Sequence, residues 1–200
     1  MSADLKMHGQ ESVSPWVARW SHLVQQDVAH GRVLDVAGGA GRHSFHFLER
    51  NHPVALIDIA QLAIESIAYR LTPEQRGRCE LIQADIENGP WPLPGERFAG
   101  VIVTNYLWRP LFPTLLQSVA EGGVLIYETF SAGNETVGKP SRPDFLLRTG
   151  ELLQICVGAG LRVIAYEDGF LEAPPRFMQR VVAIHEKSSS KSPARHALAA

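Results

Sequence analysis

Cysteine is nearly absent from these 200 residues, occurring only at Cys79 and Cys156, each inside an apolar stretch. Two distant thiols cannot frame a disulfide scaffold. They read as small buried hydrophobes of a protein kept in a reducing compartment, which predicts a cytoplasmic location. Long apolar runs are missing too: none approaches the ~20 residues needed to cross a bilayer, and residues 1–10 lack the apolar core of a secretion signal. No excess of charge of either sign exists, since 19 Lys and Arg stand against 21 Asp and Glu for a net charge of −2. That withholds the basic field by which nucleic-acid and anionic-lipid binders attract their partners, so small-molecule partners are expected. Neither internal repeats nor a break in composition divides the chain. A single domain over residues 1–186 is expected, followed by a tail at 187–200, whose Ser, Lys, Pro and Ala lack periodicity and read as disordered. Residues 1–12 are polar and read as loose; oligomeric state leaves no trace in the sequence.

What is present is an alternation of short apolar runs with helix-like spacing. Pro15 to Val24 has helical apolar spacing, with Ser14 as N-cap and Pro15 at the first helical position. Strands are then expected at Arg32–Ala37, Val54–Asp58, Cys79–Gln83, Phe98–Thr104 and Gly123–Thr129, with helices from about Arg42, Ala60 and Pro113. A Gly-, Ser- and Pro-rich loop at 131–143 leads to a helix near Gly150–Val157 and two last strands, Leu161–Glu167 and Gln179–His185. The link between those two is too short for a helical crossover, so they should pair antiparallel. The fold class is therefore α/β: a Rossmann-like, doubly wound, mostly parallel seven-stranded sheet with an antiparallel last strand and helices on both faces.

The first predicted strand runs directly into Ala37-Gly38-Gly39-Ala40-Gly41 and then into a helix. Glycines at such a turn let the backbone bend sharply and approach a ligand closely, while free N–H groups at the helix start face it. A dinucleotide fingerprint G-x-G-x-x-G would need a glycine three residues after Gly41, and that position is Ser44, which disfavours an NAD-linked oxidoreductase. The second strand ends at Asp58, followed by Ile59. A carboxylate there can accept both hydroxyls of a ribose, with a cap for the following helix as the plainer and less favoured reading. The third strand leads into Ala84-Asp85-Ile86, and the fourth into Asn105-Tyr106-Leu107-Trp108-Arg109-Pro110. Because open α/β sheets bind ligands beyond the carboxyl ends of their strands, these positions should meet in one crevice.

Asp35-Val36-Ala37-Gly38-Gly39-Ala40-Gly41 resembles motif I of the class I S-adenosylmethionine-dependent methyltransferases, an acidic residue followed by G-x-G-x-G. Ala37 replaces the first glycine and gives up its freedom for positive φ. From Trp16 to His185 the chain is similar to small bacterial methyltransferases related to the tellurite-resistance type. The residues that carry this are Trp91-Pro92-Leu93-Pro94, Thr104 to Pro110, Tyr127-Glu128-Thr129-Phe130, Gly133-Asn134-Glu135 and Gly138 to Leu147. The resemblance implies an S-adenosylmethionine cofactor, S-adenosylhomocysteine as product, and cofactor contacts at Asp35, Ala37, Gly38, Gly39, Gly41, Asp58 and Ile59. It places Asp85 and Ile86 at the adenine, Arg42 and His43 near the cofactor carboxylate, and Asn105, Tyr106 and Leu107 beside the transferring methyl. It says little of the acceptor, and a cofactor-binding protein without activity stays open as an alternative.

On the acceptor side Tyr106, Arg109 and Glu128 are the candidate catalytic residues, with Trp108, Arg109, Asn134, Lys139 and Arg142 as substrate contacts. Loops longer than about 12 residues in a compact domain are often functional, which makes 131–145 a candidate lid. Arg109, Lys139 and Arg142 could together attract an anionic acceptor, against the plainer reading of a solvated loop. Core packing explains Tyr106 and Trp108 almost as well as a substrate role. Trp16 and Trp20, four apart, read as a packing stripe, with Trp16 also a candidate cover for the pocket. His43 and His46 share a helical face, but no third ligand has metal-site spacing, so no metal is expected.

Overall fold

The computed structural model describes residues 12–187 and 195–198. Most of the tail expected at 187–200, and most of the loose N-terminal segment, lie outside the described residues. Seven strands form one sheet: β1 Val33–Val36, β2 Val54–Asp58, β3 Cys79–Gln83, β4 Phe98–Thr104, β5 Val119–Phe130, β6 Arg162–Glu172 and β7 Pro175–Ile184. Their spatial order is β3-β2-β1-β4-β5-β7-β6. The first five run parallel, while β7 lies antiparallel to both β5 and β6, as the short final link predicts. The inner strands are apolar at nearly every position because helices cover both faces.

One face packs against α1 Pro15–Trp20, α2 Arg42–Leu48 and α3 Gln61–Arg70; the other packs against α5 Phe112–Gln117 and α6 Glu151–Gly158. Helix α1 has only six residues, below the length at which an isolated helix is stable. Ser14 caps it by accepting the Trp16 N–H, and the buried, T-packed rings of Trp16 and Trp20, 5.8 Å apart, hold it to the sheet. Burying side chains of that size contributes about 1.5–3 kcal/mol each. No described helix is long and apolar enough to cross a membrane.

Four elements differ from the sequence expectation, the first being β5, which begins at Val119 rather than Gly123. The last two strands run on into a long hairpin that turns at Ala173–Pro174; Phe170 and Phe177 pair across it with ring centroids 4.9 Å apart. Gly169 is tolerated inside β6, and Pro175 opens β7, a position where no ladder N–H is needed. A one-turn helix α4, Pro73–Arg76, follows α3, fixed by a capping box in which Thr72 and Gln75 bond reciprocally. The chain winds outward from β1 to β2 and β3, then returns to β4 on the other side of β1. The crevice beyond Val36 and Thr104 is thus the topological switch point at which such sheets bind ligands.

Candidate functional site

The turn after β1 is built by three residues with left-handed backbone, Ala37 (φ 51°), Gly39 (φ 55°) and Gly41 (φ 79°). Ala37 takes this conformation despite its Cβ, at a cost of about 1–2 kcal/mol. Gly38 is required for a different reason: a Cβ there would come within 2.6 Å of the Leu56 side chain and 3.0 Å of the Asp35 carboxyl carbon.

Asp35 is buried, and its Oδ2 accepts both the N–H (3.0 Å) and the hydroxyl (2.7 Å) of Ser44. Burial pushes its carboxyl up to about 6, and the Ser44 bonds hold it back from rising further. Asp35 therefore braces the first turn of α2 rather than facing the crevice. Ser44, the residue that breaks the dinucleotide fingerprint, is its partner. His43 is also buried and off the crevice. Its Nε2 accepts the Ser14 N–H (3.4 Å), which leaves the proton on Nδ1, 3.5 Å from Thr104 Oγ1. Burial, with Arg42 and His46 adding to it, lowers its pKa to about 3, so the ring is neutral.

At the tip of β2, Asp58 accepts the Gly39 N–H on Oδ2 (2.7 Å) and the Ala60 N–H on Oδ1 (2.8 Å). It ties down the glycine turn and holds Ala60, the residue that leads into the next helix. A carboxylate has about four lone-pair sites, so each oxygen can accept one more donor. Asp85 is fixed in a turn of its own: Asn88 Nδ2 reaches Oδ2, and the N–H groups of Asn88 and Glu87 reach Oδ1, each at 3.0 Å. Led by the Asn88 side chain, these donors hold the Asp85 carboxyl below its ordinary range.

After β4 the chain is anchored to β5 by Asn105 N–H to Glu128 O (2.9 Å) and by Tyr127 Oη to Tyr106 O (2.8 Å). Asn105, with φ 54°, makes the bend that brings Tyr106 into the crevice. The Tyr106 phenol is buried beside the Glu87 carboxylate. Burial, reinforced by the neighbouring Glu87 and Asp85 carboxylates, pushes its pKa well above the ordinary value, which keeps it a neutral donor.

These strand tips enclose a cleft of about 260 Å³ whose walls include Ala37, Asp58, Ile59, Asp85, Ile86 and Tyr106. All six are positions read from the sequence as cofactor contacts. Glu87 and Asn88, which the sequence reading missed, line it as well. Three carboxylates, a neutral phenol and apolar walls suit an adenosine-bearing ligand. Leu107 instead turns into the core, and Trp108 packs against its edge.

On the acceptor side the structure separates residues that the sequence reading grouped. Arg109 forks onto Glu151 (Nε–Oε1 2.7 Å, Nη2–Oε2 2.9 Å) and donates to the carbonyls of Asp144 and Leu146, both at 2.8 Å. It clamps the 131–147 loop to α6, and its fork is not free to receive an anion. Arg142 is exposed and pairs with Asp144 (3.1 Å), and Lys139 is exposed. Asn134 is buried, with its amide taken by Pro140 O and the Phe177 N–H.

Glu128, by contrast, belongs to a register row running Thr104, Glu128, Arg180, Glu167 across β4, β5, β7 and β6. The alternation along each strand puts Thr104, Glu128 and Arg180 on the α1 face, with Ile102, Ile126 and Val182. Arg180 lies 3.3 Å from Glu128 and 3.2 Å from Glu167, with its guanidinium carbon 5.8 Å from the Trp16 ring centre. Only the register reveals this row, and only Glu128 was singled out from sequence. Among the described residues no group of three or more His, Cys, Asp or Glu is placed to hold a metal.

Residues 33–122 match the family described as a methyltransferase domain. Among curated proteins none matches the chain. Solved structures share the fold. The glycopeptide N-methyltransferase MtfA in complex with sinefungin is 18% identical, with a TM-score of 0.58 over 84% of this chain and 93% of that one. TehB from Haemophilus influenzae is 17% identical, with a TM-score of 0.62 over 78% of this chain and 57% of that one. A TehB-like S-adenosylmethionine-dependent methyltransferase from Corynebacterium glutamicum is 12% identical, with a TM-score of 0.61 over 88% and 89%. MtfA has also been solved with S-adenosylmethionine and with S-adenosylhomocysteine. Over residues 33–122 the chain is thus similar to a methyltransferase domain, and its fold is the one seen in solved S-adenosylmethionine-dependent methyltransferases.

Proposed function

We propose that the chain methylates a small-molecule acceptor by in-line transfer, as one domain over residues 1–186 working in the cytoplasm. The observation that carries this reading is the meeting of Ala37, Asp58, Asp85 and Tyr106 around one cleft at the switch point of the sheet. Asp58 would hold the ribose hydroxyls with the lone pairs that Gly39 and Ala60 leave unused. Asp85 and Ile86 would hold the adenine, and Asn105 and Tyr106 the methionine end. When bound, S-adenosylmethionine supplies an already activated methyl group, so the protein contributes positioning, exclusion of water and removal of one proton. Glu128 is our candidate for that last task.

An anionic acceptor gains little support. With Arg109 committed to Glu151, the exposed Lys139 and the Asp144-paired Arg142 are what remain of the three cations grouped from sequence to select it. The unpaired thiols of Cys79 and Cys156 suit a reducing compartment, and the balanced charge gives nucleic acid no purchase.

Calorimetry against S-adenosylmethionine, S-adenosylhomocysteine and NAD tests the cofactor, and release of S-adenosylhomocysteine over an acceptor panel tests turnover. Saturable binding of the first two with product release is expected. Binding of NAD instead, or tight cofactor binding with no product from any acceptor, would overturn the reading.

A further inference from the structure

The α1 face of the sheet carries polar groups that the cofactor cleft does not use. Val36 pairs with Val103 in the β1–β4 register. One step further places the glycine turn beside Thr104, where the row through Glu128, Arg180 and Glu167 begins. The row thus leads away from the cofactor's turn beneath Trp16. Three groups in the row or packed on it are buried with hydrogen-bonding capacity unused: the Trp16 indole N–H, the Nε–H of Arg180 and Oε2 of Glu128. Trp16 is 2% exposed and Glu128 4% exposed. Arg180 Nε and Glu128 Oε2 face each other at 3.3 Å without the alignment of a hydrogen bond. Arg176 stands four residues before Arg180, on the same face of β7.

A buried donor or acceptor left without a partner costs about 1–3 kcal/mol, and one buried beside a functional crevice points to a ligand that completes it. Resting on the methyltransferase reading above, we propose that the acceptor docks against the edge of the Trp16, Glu128 and Arg180 cluster, and that it is an uncharged hydroxyl compound methylated on oxygen.

The unused groups are donors and an acceptor together, and a hydroxyl is the acceptor group that satisfies both. Its oxygen takes the N–H of Arg180 or Trp16 while its O–H donates to Glu128. A carboxylate would satisfy the donors but press against Glu128; an ammonium would satisfy Glu128 but leave the donors unmet. Glu128 and Glu167 both face Arg180, and His43 at the start of the row is neutral. In the transfer, the acceptor oxygen forms a bond to the methyl carbon as the carbon–sulfur bond of the sulfonium breaks. The hydroxyl proton passes to the Glu128 carboxylate, and S-adenosylhomocysteine leaves as the neutral thioether. Glu128 acts as base, and Arg180, held between Glu128 and Glu167, positions it.

The test uses the full chain with S-adenosylmethionine and matched sets of phenols and alcohols, carboxylates, amines and thiols, with products identified by mass. Binding of the same probes to the S-adenosylhomocysteine-loaded protein is followed by calorimetry. O-methyl products from hydroxyl probes are expected, along with tighter binding of those probes than of the matched carboxylates and amines. Glu128→Gln should lower kcat about 10²–10⁴-fold, the range of a general base. Arg180→Gln should raise acceptor KM and lower kcat each about tenfold, Arg180→Lys should recover part of both, and cofactor Kd should not move. Should Glu128→Gln fail to fold, Glu128→Asp, which withdraws the carboxylate by one methylene, should lower kcat at least tenfold. Methylation of carboxylates or amines in preference, undiminished turnover in the Glu128 variants, or no hydroxyl probe methylated by a protein that binds S-adenosylmethionine would overturn the inference. Absence of S-adenosylmethionine binding would instead overturn the methyltransferase reading on which it rests.

Discussion

Replacing Arg109 by alanine tests whether that side chain is a structural clamp or an anion receptor. The substitution deletes a forked pair to Glu151, at 2.7 and 2.9 Å, and two bonds to the carbonyls of Asp144 and Leu146 at 2.8 Å. Glu151, with its side chain 11% exposed, would keep the Arg148 N–H and the distant, exposed Arg148 guanidinium. Removing one partner of a fully buried pair costs about 3–5 kcal/mol. Arg109 is 29% exposed, so water replaces part of what is lost, and about 2–3 kcal/mol is the expected destabilisation. For a chain of this size that is a fall of about 5–10 °C in Tm by thermal denaturation. Arg109→Lys should recover less than half, because an ammonium cannot fork. A double-mutant cycle with Glu151→Gln should return a coupling of about 1–2 kcal/mol.

The pH dependence has a definite sign. Burial alone would raise the Glu151 carboxyl, but the Arg109 side chain and the Arg148 N–H outweigh it and hold the pKa below the ordinary 4.5. The clamp's contribution is complete above 4.5 and is lost as pH falls through the depressed value, so wild type and Arg109→Ala should converge at low pH. A Tm within 1 °C of wild type, a coupling near zero, or a gap that widens on acidification would refute the clamp.

Three further outcomes are expected. Ala37→Gly relieves the left-handed strain at φ 51° and should stabilise by about 1 kcal/mol in urea unfolding; a loss of stability would contradict the strain argument. Ser44→Ala removes the 2.7 Å bond to buried Asp35 and should destabilise by about 1.5–3 kcal/mol, with a neutral result refuting the brace. Because the folded protein keeps His43 neutral down to about pH 3, the unfolded chain takes up a proton below its ordinary 6.5 that the native state refuses. Stability from this group is intact above that pH and falls by up to about 1.4 kcal/mol per unit below it. His43→Gln should lack this slope, and parallel stability–pH curves for the two proteins would refute it. Asp35, whose pKa is raised to about 6, works in the opposite sense, favouring the native state as pH falls through that value. The comparison with His43→Gln leaves that contribution common to both proteins.

The strand core was legible because its signals are local. Runs such as Val54–Asp58 and Phe98–Thr104 are apolar on both faces and end in polar residues at the crevice, and their bounds in the structure are those of the sequence reading. Helix α4 was legible in principle from its Thr72-to-Gln75 capping spacing and was passed over. The cleft is formed by strand ends, which makes Asp58, Asp85 and Tyr106 legible as neighbours from the sequence. What could not be read depends on contacts distant in sequence. Arg109 meets Glu151 forty-two residues away, and Arg180 reaches Glu128 only through the β5–β7 register. Asp35 was read as a ligand contact because an acidic residue before a glycine turn carries no mark of which way its carboxylate points. Its burial onto Ser44 is settled by the packing of α2 against β1. Ala37 looked like lost backbone freedom, yet the surrounding turn imposes the left-handed conformation on it.

A crystal structure with S-adenosylhomocysteine bound bears most directly on the adenosyl cradle. The account predicts density in the cleft beside Ala37, with the ribose hydroxyls on the Asp58 carboxylate and the adenine between Ile59 and Ile86 beside Asp85. Ligand density elsewhere on the molecule, or a cleft in which Asp58 and Asp85 turn away from the nucleoside, would contradict it.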